Sequence, residues 1–263
     1  MDFLAKIVEH KKIEIKERSK LVAESQLRDV AIKVRRRPFL KKLSEPGPSG
    51  INIIAEIKRA SPSKGFLCPD LDPAKYAADY EKGGAAAISV LTDMEYFKGN
   101  SDDLIRARKA STLPVLRKDF IISSYQIYET SAMGADALLL IVRILSKQQI
   151  KDFLALSNEL SMDALVEVYS EKDLETASDA GAKLIGINNR NLSSFETDTG
   201  NAMRIAGLLE PGQIAVAASG ITGRRDIEKN ISSGIYNFLI GESIVKSGNP
   251  AEFIKSLLAR KEN

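Results

Sequence analysis

Histidine, cysteine and tryptophan are almost missing from this sequence. It has one cysteine, Cys68, one histidine, His10, and no tryptophan. A single cysteine excludes an intrachain disulfide and a cysteine metal cluster, and a single histidine on a polar N-terminal helix argues against a multi-histidine metal centre or a histidine-dependent triad. We assign no chemistry to either residue. Proton transfer in this protein therefore has to use lysines and carboxylates.

The sequence also lacks a strong net charge and a long apolar run. The net charge is +3, which gives no argument for nucleic-acid binding. No run is long enough to span a bilayer, and the charged N-terminus lacks the apolar core of a signal peptide. We expect a cytoplasmic protein with no nucleic-acid partner and no membrane partner. The basic clusters at 35–37 and 41–42 are interpreted as a solvated face.

After residue 50, short apolar runs alternate with amphipathic segments. Glycines follow several of these segments, as helix C-caps do, at Gly83, Gly84, Gly134, Gly181 and Gly234. This alternation, without a dividing linker, predicts a closed parallel (β/α)8 TIM barrel. Neither a GxGxxG nor a GxxxxGK(S/T) phosphate loop is present, which disfavours dinucleotide-binding and NTPase folds. The eight predicted strands are 51–57, 85–91, 114–116, 137–142, 164–168, 184–187, 214–218 and 238–240, and examples of predicted helices are 73–82, 102–109, 146–160 and 171–180.

The first fifty residues precede this pattern. They end in a turn-rich stretch, EPGPSG, at 45–50. We interpret residues 1–50 as a helical extension packed on the barrel, and residues 51–263 as the barrel that forms the catalytic domain. The two parts form one domain overall. Within the extension, helical segments are predicted at 2–18, 21–30 and 39–43.

Polar residues stand at the carboxyl ends of several predicted strands, where barrels carry their catalytic groups. Glu56 and Lys58 share one face of the first strand, because side chains alternate with period two. Lys118 follows the third strand, Glu167 lies in the fifth, and Asn188 ends the sixth. Each has an ordinary interpretation alone, as a surface lysine, a salt-bridge partner or a turn residue. Together they predict a cavity in which carboxylates and lysines shift each other's pKa values, as acid–base sites require.

Small residues end the last two predicted strands. Ser219 and Gly220 follow the seventh strand, and Gly241, Glu242 and Ser243 follow the eighth. Glycine lets a ligand approach the backbone, and helix N-termini offer N–H groups to an anion, so this edge suits a phosphate group. We count all five residues as substrate-binding candidates, with a pair of ordinary turns as the alternative interpretation.

The segment at 54–65, IAEIKRASPSKG, resembles the signature of the indole-3-glycerol phosphate synthase family. The N-terminal helices also resemble the extension that this family carries over its barrel, so the resemblance covers nearly the whole chain. It implies a ring-closing lyase of tryptophan biosynthesis on a TIM barrel. Further matches follow in the family's order: SVLTD at 89–93 with Tyr96 and Phe97, LRKDF at 116–120, ADALLLI at 135–141, VEV at 166–168, GINNRNL at 186–192, SGI at 219–221 and GES at 241–243.

The resemblance implies that 1-(2-carboxyphenylamino)-1-deoxyribulose 5-phosphate is converted to indole-3-glycerol phosphate with loss of CO₂ and water, without a metal or organic cofactor. Lys118 matches the lysine that protonates the ketone oxygen. Lys58 matches the lysine near the substrate carboxylate, and this lysine would act as an acid in the dehydration. Glu167 matches the residue that stabilises the cationic intermediate or accepts its proton. Glu56 would orient Lys58 and bind substrate hydroxyls, and Asn188 would hold the reacting part. Which lysine gives which proton stays open.

Binding positions follow from the same resemblance. Phe97 and Phe120 match apolar positions for the anthranilate ring, with packing at the barrel rim as the alternative. The chain departs from the family at Ala218, where the family usually has Glu, so substrate affinity or the pH profile is expected to differ. The matches for phosphate and sugar are Ser61, Arg190, Ser219, Gly220, Gly241 and Ser243.

Two other functions remain open. One is another phosphate-binding barrel enzyme, such as a sugar-phosphate isomerase or an aldolase; an aldolase would form a Schiff base on Lys58 or Lys118 that borohydride traps. The other is an inactive barrel that only binds a phosphorylated ligand or a partner. Loss of Glu56, Lys118 or Glu167 would favour that interpretation, and all three are present. The expected partners are a phosphorylated small molecule and, beyond it, other enzymes of tryptophan synthesis.

Overall fold

The computed structural model describes residues 3–259, and its centre is a closed barrel of eight parallel strands. The strands are β1 (Asn52–Ile57), β2 (Ala60–Ser61), β3 (Gly65–Phe66), β4 (Ala87–Leu91), β5 (Val115–Lys118), β6 (Ala137–Ile141), β7 (Asp163–Val168), β8 (Leu184–Asn188), β9 (Ile214–Ala218) and β10 (Asn237–Ile240). The barrel order is β1-β10-β9-β8-β7-β6-β5-β4, closed by pairing of β4 with β1, while β2 and β3 form a separate antiparallel pair. The predicted TIM barrel is confirmed; the small β2–β3 pair was not predicted.

Side chains of the barrel strands alternate between the inside of the barrel and the helical shell. Ile54 and Leu116 belong to the buried cluster inside the barrel, whereas Ile53 packs in the cluster between strands and helices. Glu56 and Lys118 follow Ile54 and Leu116 by two positions. They therefore point inward at the carboxyl end of the barrel, where the apolar filling stops.

Helices cover the outside of the barrel, and their ends carry ordinary capping signals. Asp72 accepts a hydrogen bond from Ala74 N, Pro73 takes the first helical position, and Gly84 ends the same helix with φ +88°. No helix within residues 3–259 is long and apolar enough to cross a membrane. The helices are α1 (Phe3–Leu21), α2 (Glu24–Ala31), α3 (Phe39–Leu43), α4 (Pro73–Gly83), α5 (Met94–Phe97), α6 (Ser101–Ala110), α7 (Ser124–Ala132), α8 (Lys147–Glu159), α9 (Glu171–Asp179), α10 (Asn201–Ala206), α11 (Arg224–Ile231), α12 (Glu242–Val245) and α13 (Pro250–Leu258), with a 3-10 turn at Val142–Ile144.

The N-terminal helices reach both ends of the barrel. At the carboxyl end, Leu4 and Ile7 of α1 are buried against the cavity described below. At the amino end, Leu40 N of α3 donates to Asp163 Oδ2 at 2.8 Å, at the start of β7. The predicted start of the first helix at Asp2 lies outside the described residues.

An amide pair joins the first and last barrel strands at their amino ends. Asn52 Nδ2 donates to Asn237 Oδ1 at 2.9 Å, across a sequence separation of 185 residues. Asn237 Nδ2 in turn donates to Leu43 O at 3.2 Å and Ala215 O at 3.0 Å. These bonds satisfy polar groups that are buried at the seam where the barrel closes.

The solvated face predicted for the basic clusters is only partly found: Arg35, Lys41 and Lys42 are exposed, but Arg36 and Arg37 are not. Arg36 and Arg37 are half-buried, and both donate to backbone carbonyls in turns that lead into strands. Arg36 reaches Ala135 O at 2.7 Å, and Arg37 reaches Leu113 O at 2.7 Å. Carbonyls near helix ends lack helical partners and attract cations, so these arginines fasten the extension to the barrel.

Candidate active site

A cavity of about 560 Å³ opens at the carboxyl ends of the barrel strands. It lies beside α1, and it brings together almost every residue that the sequence predicted for the site. Glu167 is the exception among the predicted residues. Those that line the cavity are Glu56, Lys58, Ser61, Phe97, Lys118, Phe120, Asn188, Arg190, Ser219, Gly220, Gly241, Glu242 and Ser243.

Glu56 lies between two ammonium groups. Its Oε1 is 2.8 Å from Lys58 Nζ, and its Oε2 is 3.7 Å from Lys118 Nζ, too far for a hydrogen bond. Burial alone would raise the pKa of Glu56, but Lys58 and Lys118 outweigh burial and lower it. Glu56 is therefore a carboxylate at neutral pH although it is only 2% exposed. We call Glu56, Lys58 and Lys118 the cavity cluster.

Lys118 ends β5 and keeps its charge inside the cavity. Burial alone would lower the pKa of Lys118, but the carboxylates of Glu56 and Glu167 raise it above the ordinary value. The side chain is 18% exposed. Lys118 is therefore an ammonium at neutral pH, able to donate a proton to a ligand and poorly suited to act as a free-amine nucleophile.

Glu167 lies behind the cavity wall. It borders a small neighbouring cavity of about 10 Å³, which Asn188 and Arg190 also line. Asn188 Nδ2 donates to Glu167 Oε1 at 3.2 Å, and Asn188 Oδ1 accepts from Arg190 N at 2.9 Å. Asn188 thus holds one carboxylate oxygen of Glu167, and the Glu167 charge acts on Lys118.

Serine hydroxyls and a sharp backbone turn form another part of the cavity wall. Ser61 is buried, and its Oγ makes no hydrogen bond with any residue that the structure describes. Ser219 has φ +67° and Gly220 has φ +74°, so the chain turns sharply as β9 ends. Ser243 Oγ donates to Ile221 O at 2.8 Å, which ties the turn after β9 to α12.

Gly241 has a reason to be glycine that was not predicted. A Cβ at this position would lie 2.6 Å from Glu56 Oε1 and 3.0 Å from Glu56 Cβ. We predicted that Gly241 opens the backbone to a ligand, and it does line the cavity. Its close contact, however, is with Glu56, so the missing side chain makes room for the carboxylate of the cavity cluster.

Arg190 and Glu242 face each other across the cavity mouth. Arg190 Nη1 is 3.4 Å from Ser63 Oγ, and Arg190 Nη2 is 4.0 Å from Glu242 Oε2. Glu242 also pairs with Lys246 at 2.7 Å, and this hydrogen bond is the main cause of its lowered pKa. A carboxylate repels a phosphate, so the geometry suits Glu242 to orienting Arg190 better than to binding the anion itself.

Aromatic and aliphatic side chains form the remaining wall. The ring centroids of Phe97 and Phe120 are 6.1 Å apart. Sequence reasoning missed Phe3 of α1 and Phe195 of the loop after β8, whose rings meet at 5.0 Å above the same cavity. The apolar spacing of α1, at positions 3, 4 and 7, was a signal that this helix covers something apolar.

The two residues to which we assigned no chemistry stay apart from the cavity. His10 lies on α1 with its side chain 42% exposed, and its nearest charged group is Glu14 at 3.9 Å. Cys68 is half-buried beside Tyr76 Oη at 3.6 Å. Neither lines the cavity, so its acid and base groups are the lysines and carboxylates described above.

The fold and the site define a (β/α)8 barrel with an acid–base cavity at the carboxyl ends of its strands. The family model for indole-3-glycerol phosphate synthase matches residues 4–257. The chain belongs to this family. Its sequence is 53% identical to an indole-3-glycerol phosphate synthase of Desulfosudis oleivorans over 259 residues, covering 98% of each chain. It is 49% identical to the enzyme of that name from Syntrophobacter fumaroxidans, covering 97% of each chain.

Solved structures with much lower sequence identity share the barrel. A thiamine phosphate pyrophosphorylase from Pyrococcus furiosus has a TM-score of 0.61 at 13% identity, covering 82% of this chain and 95% of its own. An N-acetylmannosamine-6-phosphate 2-epimerase from Clostridium perfringens also has a TM-score of 0.61 at 13% identity, covering 81% of this chain and 93% of its own. At this identity the likeness shows the fold alone.

Proposed function

We infer that this chain is an indole-3-glycerol phosphate synthase, which closes the indole ring of 1-(2-carboxyphenylamino)-1-deoxyribulose 5-phosphate and releases CO₂ and water. The observation that carries the inference is the cavity cluster, two ammonium groups on one carboxylate at the base of a 560 Å³ cavity. Family membership over residues 4–257 supports the same activity.

The first step joins the two halves of the substrate. The ring carbon that bears the carboxylate attacks the ketone carbon, and Lys118 donates a proton to the ketone oxygen, which becomes a hydroxyl. A fixed ammonium stabilises the charge that develops on this oxygen. CO₂ then leaves, and the electron pair of the broken bond returns to the ring.

The second step removes water. Lys58 donates a proton to the hydroxyl, which departs as water, and Glu167 accepts a proton from the carbon next to the nitrogen. The substrate thus receives two protons from the lysines and gives one to Glu167. The net gain of one proton balances the negative charge that the substrate carboxylate loses when it leaves as neutral CO₂. Glu56 supports this division of work because it holds both ammonium groups. Asn188 donates to Glu167 Oε1, which orients this carboxylate for that role.

The two ends of the substrate bind to separate parts of the cavity in this proposal, which we call the phosphate seat and the ring seat. Ser61, Ser219, Gly220 and Ser243, with Arg190 near them, bind the phosphate and sugar end. Phe97 and Phe120 hold the anthranilate ring, and Phe3 and Phe195 cover it. Aromatic faces suit a planar ring, and an unpaired buried hydroxyl such as that of Ser61 suits an oxygen-rich group.

A direct assay tests the function. Purified protein is given the carboxyphenylamino-deoxyribulose phosphate without added metal, and indole fluorescence is followed from pH 6 to pH 9. Turnover is expected, and no signal over this range would contradict the function. A Schiff-base aldolase is disfavoured because the pKa of Lys118 is raised. Borohydride with substrate is accordingly expected to trap no adduct.

We also propose a cytoplasmic location, with other enzymes of tryptophan synthesis as neighbours. A doubly charged phosphate ester does not cross a membrane unaided, so the enzymes that make the substrate and use the product belong in the same compartment. Fractionation of source cells, with the activity followed in each fraction, checks this location.

A further inference from the structure

Lys11 is a lysine with no exposed surface on a helix whose sequence looks solvated. It lies on the same face of α1 as the buried Leu4 and Ile7. Its Nζ contacts Asp93 Oδ2 at 2.8 Å, Asp119 Oδ1 at 2.9 Å and Glu14 Oε2 at 2.9 Å. Burying an ammonium is costly unless it is paired, so these three contacts explain why the charge is tolerated.

Five other residues, two of which contact Lys11, complete a closed ring with it in which positive and negative charges alternate. Asp119 Oδ2 pairs with Arg117 Nη2 at 3.0 Å, and Arg117 Nη2 pairs with Glu129 Oε2 at 2.8 Å. Glu129 Oε1 pairs with Arg18 Nη1 at 3.0 Å, and Arg18 Nη2 returns to Glu14 Oε1 at 2.7 Å. We call Lys11, Asp119, Arg117, Glu129, Arg18 and Glu14 the ionic ring, which joins α1 to β5 and α7. Lys11, Asp119 and Arg117 are buried, and the other three are partly exposed.

The two aspartates on Lys11 fix the backbone of two cavity segments. Asp93 caps α5, because its Oδ1 accepts from Tyr96 N at 2.7 Å and from Phe97 N at 3.3 Å. Asp119 Oδ1 accepts from Phe120 N at 2.8 Å. Asp119 also follows Lys118 directly in the chain. Phe97 and Phe120, whose N–H groups make two of these bonds, line the cavity, and so does Lys118.

We propose that Lys11 is a positioning residue for the ring closure. By holding Asp93 and Asp119 together, Lys11 fixes the seat of the anthranilate ring relative to the ammonium of Lys118. This role rests on the proposed function. Lys11 does not line the cavity, so it acts through the two aspartates and does not touch the substrate.

The position of Lys11 predicts which kinetic constant depends on it. The segments it holds follow β4 and β5, while Ser219, Gly220 and Ser243 of the proposed phosphate seat follow β9 and β10, and β9 lies opposite β5 in the barrel. A displaced Lys118 or ring seat impairs the geometry of reaction, whereas the phosphate end still binds. The effect should therefore fall on kcat, with the inhibition constant of inorganic phosphate unchanged.

The test compares Lys11→Met with Lys12→Met. Lys12 is the next residue of α1, and its side chain is 60% exposed in a surface pair with Glu9. At a temperature where each protein is folded, Lys11→Met is expected to lower kcat about 10–100-fold with KM changed less than about three-fold. Lys12→Met is expected to leave both constants unchanged.

A double variant separates positioning from stability. Lys11→Met with Asp93→Asn removes one negative charge for the positive charge lost, and Asn can still cap α5. Thr92 Oγ1 still donates to Asp119 Oδ2 at 2.6 Å in this variant, so only the ammonium bridge between Asp93 and Asp119 is lost. Unfolding by denaturant should show stability recovering, while kcat stays at least about ten-fold low because that bridge is absent.

Several results would overturn the proposal. It fails if folded Lys11→Met, or the folded double variant, keeps kcat within two-fold of the unsubstituted protein. It fails likewise if kcat recovers together with stability in the double variant. It also fails if neither variant folds, because Lys11 would then be a structural residue. If the unsubstituted protein itself shows no turnover, the proposed function fails first, and the comparison of variants is not reached.

Discussion

The cavity cluster and the ionic ring meet at two neighbouring residues, Lys118 and Asp119, and they differ in how fully their charges are paired. Every contact around the ring is 3.0 Å or shorter. In the cavity cluster, Glu56 has one ammonium at 2.8 Å and the other at 3.7 Å. Paired basic and acidic side chains therefore stabilise the fold in the ring, where every charge has close partners. In the cavity cluster, where one ammonium lacks a close partner, such side chains remain available to a ligand.

This difference predicts how substitutions will act. Removing one partner of a fully buried pair leaves an uncompensated charge, so changes at the buried pair of Arg117 and Asp119 should appear first as lost stability. The cavity cluster can exchange one partner for a substrate group, so changes there should appear first in turnover. The three predictions below test this distinction, in order of decreasing effect on activity.

The largest effect is expected for Lys118→Ala. Loss of a general acid typically costs about 10²–10⁴-fold in rate, and we expect kcat to fall in that range. Binding of an unreactive analogue, in which the ketone is reduced to an alcohol, should be largely kept. The exposed Lys109→Ala serves as the control. Normal turnover by Lys118→Ala in the fluorescence assay would show that Lys118 is not the acid.

A shift in pH dependence is expected for Glu56→Gln. Glu56 raises the pKa of Lys118, so removing its charge lowers that pKa. The acid must be protonated to work, and the alkaline limb of kcat/KM should therefore move to lower pH. Glu175→Gln, on the exposed side of α9, should leave the profile in place. An unmoved limb would mean that another group titrates there.

Asp119→Asn should act mainly on stability. Breaking a buried ion pair costs about 3–5 kcal/mol, which denaturant unfolding at pH 7 will measure against the exposed control Asp152→Asn. Burial would raise the pKa of Asp119, but Arg117 and Lys11 hold it well below the ordinary value.

The same lowered pKa predicts how that stability depends on pH. The contribution of Asp119 is fully present above its unfolded pKa near 3.9 and is lost as the pH falls below it. The unsubstituted protein should therefore lose stability on acidification more steeply than Asp119→Asn. Equal slopes below about pH 4 would contradict the pairing.

The barrel was predictable from sequence because short apolar runs alternate with amphipathic segments, and the polar residues at the carboxyl ends of those runs located the site. Glu56, Lys118 and Asn188 were found in this way. The β2–β3 pair was missed because two-residue strands leave no periodic signal. The boundary between extension and barrel at residue 50 stays a prediction.

The rest of the site depends on contacts between distant segments, which one sequence does not reveal. Lys11 stands among other charged residues of α1, and only the fold shows that its side chain meets Asp93 and Asp119. Gly241 looks like a turn glycine until Glu56 is seen beside it. Ala218 lines the cavity, and nothing else in the structure explains its departure from the family.

The amide pair between Asn52 and Asn237 bears on how the chain folds. Each barrel strand from β1 to β9 pairs with the next barrel strand along the chain, whereas the pairing of β1 with β10 joins the two ends of the barrel sequence. Closing so long a loop costs entropy before any contact repays it, so this seam should form last. Until then β10 is an unprotected strand edge, and crowded refolding mixtures should aggregate through it.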